Sequence, residues 1–302
     1  MKTKTDKTIF RETNLQYIID YDYERSGCTC GDDICRCTTI EHTKKYFIFS
    51  DVHSFYDELI RALNNAGFDK DNPEHVIVSL GDLLDRGSKP LQCLRFVNSI
   101  PAGRKILIRG NHEDLMEEMI LRNESKQHDW HNGTIQTALD LAGYGLTTFK
   151  ELDVFKEMKK NPDYNEYINS TVDYYEDDKH IFVHGWIPCE SNDLNMYHDR
   201  GIKYTFDENW RDGDWKAARW INGMDAWNQG VKVDRKIIYC GHWHTSWGHS
   251  KLHKLGPEWD NKYSTNPEHM KAHFEPFCDD GICAVDACTA YSHKVNVVVM
   301  EE

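Results

Sequence analysis

Five short apolar runs in this 302-residue chain each stop at a turn rich in Gly, Asp, Asn or His. Tyr46–Ser50 (YFIFS) leads into Asp51-Val52-His53, and His75–Leu80 (HVIVSL) leads into Gly81-Asp82 with Asp85-Arg86-Gly87 just beyond. Lys105–Ile108 (KILI) runs into Arg109-Gly110-Asn111-His112-Glu113. His180–Val183 (HIFV) runs into His184-Gly185, and KIIYC runs into Gly241-His242-Trp243-His244. Runs this short and this apolar read as strands buried on both faces. Between the first three lie segments of helical spacing, Asp57–Ala66 and Pro90–Asn98. Strand–helix–strand alternation predicts an α/β fold with parallel pairing, and in such sheets ligands bind beyond the carboxyl ends of the strands.

One Asp or His at one strand end is ordinarily a turn residue. Five such ends point to a shared site. Asp51 precedes Asp82 by 31 residues and Asp82 precedes Asn111 by 29, each about the length of one βαβ unit. The donor types are carboxylate, imidazole and amide oxygen, with no thiolate, a set suited to divalent transition metals.

Composition supports this direction. Lys and Arg number 36 against 50 Asp and Glu, for a formal net charge of −14, which argues against a nucleic-acid or anionic-membrane binder because both need a positive field. An acidic protein that handles phosphate needs bound cations to supply positive charge locally. With 39% hydrophobic and 12% aromatic residues the chain has material for a sizeable core, which excludes global disorder. The opening MKTKTDKTIF lacks the apolar core of a signal peptide, and no run of about 18 apolar residues is present. The expectation is a cytoplasmic protein with reduced cysteines.

Residues 1–45 are charged, Thr-rich and carry Cys28, Cys30, Cys35 and Cys37, and read as an extension ahead of a domain over 46–302. Residues 114–178 read as a mainly helical insertion or cap. Strand signals return at 180–184, 235–240, 282–286 and 294–300, while 245–280 reads as a long ordered loop.

The blocks DVHS, GDLLDRG, RGNHE, VHG and GHWH, in this order, resemble the signature blocks of the calcineurin-like metallophosphoesterases. GDLLDRG with RGNHE resembles the phosphoprotein phosphatase branch, which includes bacterial protein phosphatases and symmetrical dinucleoside tetraphosphate hydrolases. The closing DACTAYSHKVNVVV resembles the final strand pair of the bacterial members, so the resemblance covers residues 46–300, weakly across 114–178. It implies a β-sandwich flanked by helices in α/β/β/α layers. It implies two divalent metals, manganese first with iron and zinc as alternatives, and direct attack on phosphorus by metal-bound hydroxide.

Residue by residue, the resemblance assigns Asp51 and His53 to the first metal, Asp82 to the bridge, and Asn111, His184 and His242 to the second, with His244 as a further ligand to the first. His112 would protonate the leaving group, Asp85 would orient it, and Arg86 would grip phosphate oxygens through its planar fork. Arg200 and Arg219 are the two candidates for a second clamp, while Arg109 supports the loop. The first block departs from the usual Asp-x-His-Gly, since Ser54 stands where glycine is common.

Three further features have competing readings. The Cys28-x-Cys30-x4-Cys35-x-Cys37 cluster, with His42 nearby, reads as a structural zinc site, a disulfide or redox pair, or reduced cysteines in a turn. Trp210, Trp215, Trp220 and Trp227 read as an apolar subdomain over the sheet ahead of a base-stacking surface. His249 and His253 read equally as supports to the metal site and as loop residues. The expected substrate is a phosphorylated protein, with a dinucleoside polyphosphate or other small phosphoester as the alternative. A non-catalytic scaffold and a thiol-redox protein are the remoter readings.

Overall fold

The computed structural model describes residues 44–145, 149–192, 201–264, 266 and 270–301. The cysteine cluster, His42 and Arg200 lie outside these residues. Strands β1 (Lys45–Phe49), β2 (His75–Ser79) and β3 (Lys105–Ile108) alternate with helices α1 (Tyr56–Asn65) and α2 (Pro90–Asn98). Then come α3 (Asn111–Arg122), α4 (Gln127–His131), α5 (Thr134–Ala142), α6 (Glu151–Met158), α7 (Pro162–Asn169) and strand β4 (Thr171–Val172). The remaining strands are β5 (Tyr175–Glu176), β6 (His180–Phe182), β7 (Cys189–Ser191), β8 (Tyr204–Phe206), β9 (Ile237–Cys240), β10 (Phe277–Asp279), β11 (Ile282–Ala284) and β12 (Val298–Glu301).

One sheet has the order β12-β1-β2-β3-β4, in which β1 to β4 are parallel and β12 is antiparallel to β1. The other has the order β10-β11-β9-β6-β5, with β11, β9 and β6 parallel and antiparallel strands at both edges. β7 and β8 form a separate hairpin.

The strand period of two sorts the apolar residues into three layers of core. From β1, Phe47 and Phe49 face the helical side with Leu59 and Leu63 of α1, and Leu94 and Val97 of α2. The intervening Ile48 faces inward with Val78, Ile108, Phe182, Tyr239, Cys283 and Val285. From the second sheet, Ile181, Ile238 and Ile282 face outward onto Trp186, Trp210, Trp215 and Met224. The architecture is therefore two sheets packed together with helices outside each, the α/β/β/α arrangement. Each large side chain fully buried this way contributes about 1.5–3 kcal/mol relative to exposure.

Local signals account for the boundaries. Pro90 occupies the first turn of α2, where its missing N–H costs nothing. Asp57 and Glu58 sit in the first turn of α1, complementing the helix dipole. At α7, the Asn161 side chain accepts from the Tyr164 N–H at 2.9 Å, with Pro162 next in line.

Two expectations need correction. The 245–280 segment opens with a helix, Thr245–Lys251, and closes with β10. The cysteines are not all free, since Cys278 and Cys283 face each other across the β10–β11 ladder, Cα atoms 4.0 Å apart, and are joined as a disulfide. Cys93, Cys189, Cys240 and Cys288 are free thiols.

Candidate active site

The five polar blocks meet where β1, β2 and β3 of one sheet, and β6 and β9 of the other, run out at their carboxyl ends. Asp51, His53, Asp82, Asn111, His112 and His184 are all buried. The backbone there is unusual. Asp51, His53, Ser54, Asp82, Asp85, Arg86 and His242 all have positive φ, between 50° and 74°. Such conformations are costly for residues with a Cβ and persist only where surrounding structure enforces them. Ser54, at φ 61°, holds the left-handed conformation that glycine would adopt freely.

Asp82 is the hub. Its Oδ1 lies 3.3 Å from His184 Nε2, and its Oδ2 lies 3.9 Å from His53 Nε2 and 3.8 Å from His112 Nε2. His184 Nε2 is also 2.8 Å from Asn111 Oδ1, while its Nδ1 is 2.7 Å from the Leu80 carbonyl. Since a carbonyl only accepts, Nδ1 carries the proton, and Nε2 faces two oxygen acceptors. His53 repeats the device, its Nδ1 donating to the Leu84 carbonyl at 3.0 Å. These atoms can together offer lone pairs to a divalent cation that would take the place of the Nε2 proton, and tying the distal nitrogen to a carbonyl is how metal-binding histidines are oriented. Two groups of potential ligands result, His53, Asp82 and His112, and Asp82, His184 and His242, with the donor atoms of each within 4.8 Å of one another.

The electrostatics agree. Burial, with the Arg86 cation and His112 nearby, pushes the His53 imidazole well below its ordinary pKa. Burial beside His184 pushes His242 down to about 3. Both are therefore neutral and offer lone pairs. Burial works to raise the Asp82 carboxyl, but the facing His184 and His112 rings outweigh it and hold Asp82 well below the carboxylate range. In the absence of a cation, burial opposes a proton on His184, yet Asp82 overrides it and raises the pKa to about 9.

Asp51 stands beside these groups. Its Oδ1 is 4.0 Å from His53 Nε2, and its Oδ2 accepts from Ser50 Oγ and from the His242 N–H at 2.9 Å. His112 Nδ1 donates to Asp85 Oδ2 at 2.7 Å, leaving Nε2 turned toward Asp82. Arg86 is exposed and spans both imidazoles, with Nη1 3.0 Å from His53 Nε2 and Nη2 3.2 Å from His112 Nε2.

Two expected residues are placed elsewhere. His244 belongs to neither group. Its Nδ1 pairs with Ser246 Oγ at 2.8 Å, and its Nε2 looks toward Glu258 at 3.7 Å, because the chain turns into the Thr245–Lys251 helix at this residue. Arg219 is buried, and its donors are directed at the Arg109 carbonyl (3.1 Å), Asp114 (2.7 Å) and Asp173. With its fork committed to two carboxylates, it braces the strand-end loops and presents no free edge to a phosphate. Arg109 supports its loop as expected, through Asp114 and Glu117. Trp210 and Trp215 are core residues and Trp227 packs partly buried against them, while Trp220 sets its ring 5.8 Å from that of His242. His249 and His253 pair with the Glu275 carbonyl and Asp279, away from the site.

Glu113 was not singled out by the residue pattern, although it closes the RGNHE block. Its Oε2 accepts from the N–H groups of Asp82 (3.0 Å) and Gly110 (2.8 Å). Its Oε1 accepts from the Leu83 N–H (3.1 Å) and the Tyr167 hydroxyl (2.9 Å). One buried carboxylate thus ties the β2 and β3 loops together. Gly110 is required here by close approach, since a Cβ on it would lie 2.5 Å from the Asp82 nitrogen.

Residues 44–246 match the calcineurin-like phosphoesterase family. The chain is similar to the symmetrical bis(5'-nucleosyl)-tetraphosphatase of Pasteurella multocida, 26% identical over 212 residues that cover 64% of this chain and 66% of that protein. It is 38% identical over 74 residues to the asymmetrical bis(5'-nucleosyl)-tetraphosphatase PrpE of Bacillus subtilis, covering 22% and 30% of the respective chains. The chain thus spans less than two thirds of the length of these curated relatives. The solved cold-active protein-tyrosine phosphatase of a psychrophilic Shewanella aligns over 85% of this chain and 75% of its own, with a TM-score of 0.45 and 15% identity. Because a family match spanning residues 44–246 takes in all five strand-end blocks, the chain belongs to the calcineurin-like phosphoesterase family.

Proposed function

We propose that this protein is a metal-dependent phosphoester hydrolase with a dinuclear centre. The observation that carries the reading is the convergence of His184 Nε2, Asn111 Oδ1 and Asp82 Oδ1 beside a buried His112–Asp85 pair. Asp51, His53 and Asp82 would hold one cation, and Asp82, Asn111, His184 and His242 the other. Two such cations supply Lewis-acid charge and an activated water for attack on phosphorus.

The chain's own groups do the rest. Asp85 keeps the His112 Nδ1–H engaged, so Nε2, which lies 3.2 Å from Arg86 Nη2 here, is the atom that would carry a proton to the departing oxygen once phosphate oxygens take up the Arg86 donors. The pKa of His112 favours this. Burial opposes its charge, but Asp82 and the Asp85 hydrogen bond overcome that and raise it. Arg86, an exposed residue whose two Nη atoms rest on imidazoles and not on carboxylates, is the phosphate clamp. Arg219 has no part in the assignment, and Arg200 falls outside the described residues.

For the substrate, the activity in the names of the Pasteurella and Bacillus relatives favours a dinucleoside polyphosphate over a phosphoprotein. A non-catalytic scaffold fits poorly, since the acceptor set is intact.

Two measurements test the proposal. Asp82→Asn and His112→Asn should each abolish hydrolysis of an aryl phosphate with manganese added, and near wild-type turnover in both would sink the mechanism. Diadenosine tetraphosphate should be cleaved faster than a panel of phosphoserine and phosphothreonine peptides. The opposite preference would return the protein-phosphatase reading to first place.

A further inference from the structure

The helical insertion meets the GDLLDRG loop at Gly133-Thr134. Thr134 opens α5 and is fully buried. Its Oγ1 donates to Asp85 Oδ2 at 2.7 Å, the same oxygen that accepts from His112 Nδ1 at 2.7 Å. The other oxygen, Asp85 Oδ1, is buried and has no hydrogen-bond partner among the described residues. Two donors on one oxygen therefore set the rotation of this carboxylate, and one of them is Thr134.

The neighbouring glycine supports the same loop from behind. Asp85 and Arg86 are consecutive left-handed residues, at φ 74° and 60°. A pair like this needs enforcement by its surroundings. Gly133, itself at φ 79°, lies so close that a Cβ on it would stand 2.6 Å from the Arg86 nitrogen and 3.0 Å from its Cα. Backbone contact at Gly133 and a hydrogen bond from Thr134 thus act together on adjacent residues of the GDLLDRG loop.

We infer that Thr134 is a positioning residue, which holds Asp85 in the rotation that keeps His112 Nδ1–H engaged and Nε2 aimed at the departing oxygen. The inference rests on the proposed hydrolysis and on the proton-donor role of His112. Without the hydroxyl, Asp85 Oδ2 keeps only the donor whose direction it is meant to set. Proton delivery then suffers in proportion to how much the leaving group needs a proton. Binding of the phosphate, made by Arg86 and the cations, is untouched.

The test compares two monoesters in the full-length, manganese-loaded protein. Phenyl phosphate has a poor leaving group and depends on proton transfer, whereas 2,4-dinitrophenyl phosphate does not. Thr134→Val should lower kcat on phenyl phosphate by about tenfold or more, with KM unchanged, and leave the dinitrophenyl ester within about twofold. Thr134→Ser, which keeps the hydroxyl, should restore phenyl phosphate turnover. In the metal-free protein, the downfield proton resonance of His112 Nδ1–H should shift or broaden in Thr134→Val and return in Thr134→Ser.

An equal loss on both esters, or none, overturns the inference, as does failure of serine to rescue. If the valine variant does not fold, Thr134→Ala carries the same comparison. A wild-type protein inactive on both esters would defeat the hydrolase reading itself, a result separate from any Thr134 outcome.

Discussion

Replacing Glu113 by Gln tests whether one buried carboxylate holds the β2 and β3 loops together. In the wild type it accepts four hydrogen bonds, from the N–H groups of Asp82, Gly110 and Leu83 and from the Tyr167 hydroxyl. Glutamine offers one oxygen and one NH2. If the oxygen takes the Asp82 and Gly110 side, both of those bonds survive, and the Tyr167 hydroxyl can turn to accept. The Leu83 N–H, 3.1 Å away, then meets a donor and is orphaned in the interior. An orphaned buried donor costs about 1–3 kcal/mol, and the two surviving bonds each lose about 0.5–1 kcal/mol with the negative charge. Against this stands relief of the repulsion between Glu113 and Asp82, which are buried side by side. The net loss is about 2–3 kcal/mol. For a domain of this size that lowers the melting temperature by roughly 4–12 °C. The assay is urea unfolding of the chelated protein, in which the midpoint should fall while the slope stays constant. Stability within about 0.5 kcal/mol of wild type would refute the bracing role, since surface substitutions fall in that range.

Two further outcomes follow from the same geometry. Ser54→Gly should stabilise the protein by up to about 1 kcal/mol, because it removes left-handed strain at φ 61° and a buried Oγ that has no partner among the described residues, measured by the same unfolding curves. A loss of stability would show that the Ser54 side chain contributes packing that outweighs its strain. The chelated protein should lose stability between about pH 6.5 and 9. His184 has its folded pKa raised to about 9 and His112 is raised in the same direction, so both take up protons on folding, and that contribution disappears as the pH rises through the folded values. Saturating manganese should reduce this slope by displacing the His184 proton while His112 keeps its own, and an identical slope with and without metal would refute the account.

Much of the site is legible in the residue order alone. A strand buried on both faces must be apolar throughout, so the point where Phe49, Leu80, Ile108, Val183 and Cys240 give way to Asp, His and Asn marks the strand ends directly. Helices with a local signature, such as α2 with its Pro90, were also readable. The helices of 114–178 were readable as a class and not as a function. Nothing local to Thr134, Tyr167 or Glu113 says that they reach Asp85 or Asp82: Thr134 lies 49 residues from Asp85, Glu113 lies 31 from Asp82, and Tyr167 lies 54 from Glu113. For Tyr167 that reach runs through Glu113. The disulfide between Cys278 and Cys283 follows from a hairpin register that residue spacing does not specify.

The order of residues sets which residue types stand at the strand ends, and hence the family and the chemistry that such donors can support. How they are used depends on the folded packing around them. Arg219 and His244 have the residue types the chemistry calls for, yet one is committed to Asp114 and Asp173 and the other to Ser246 and Glu258. A side chain's type is a local property, whereas the partner that claims its donors is set by long-range packing. That is why an Arg near the site in sequence can be a brace, and a Thr in a distant helix can rest against Asp85.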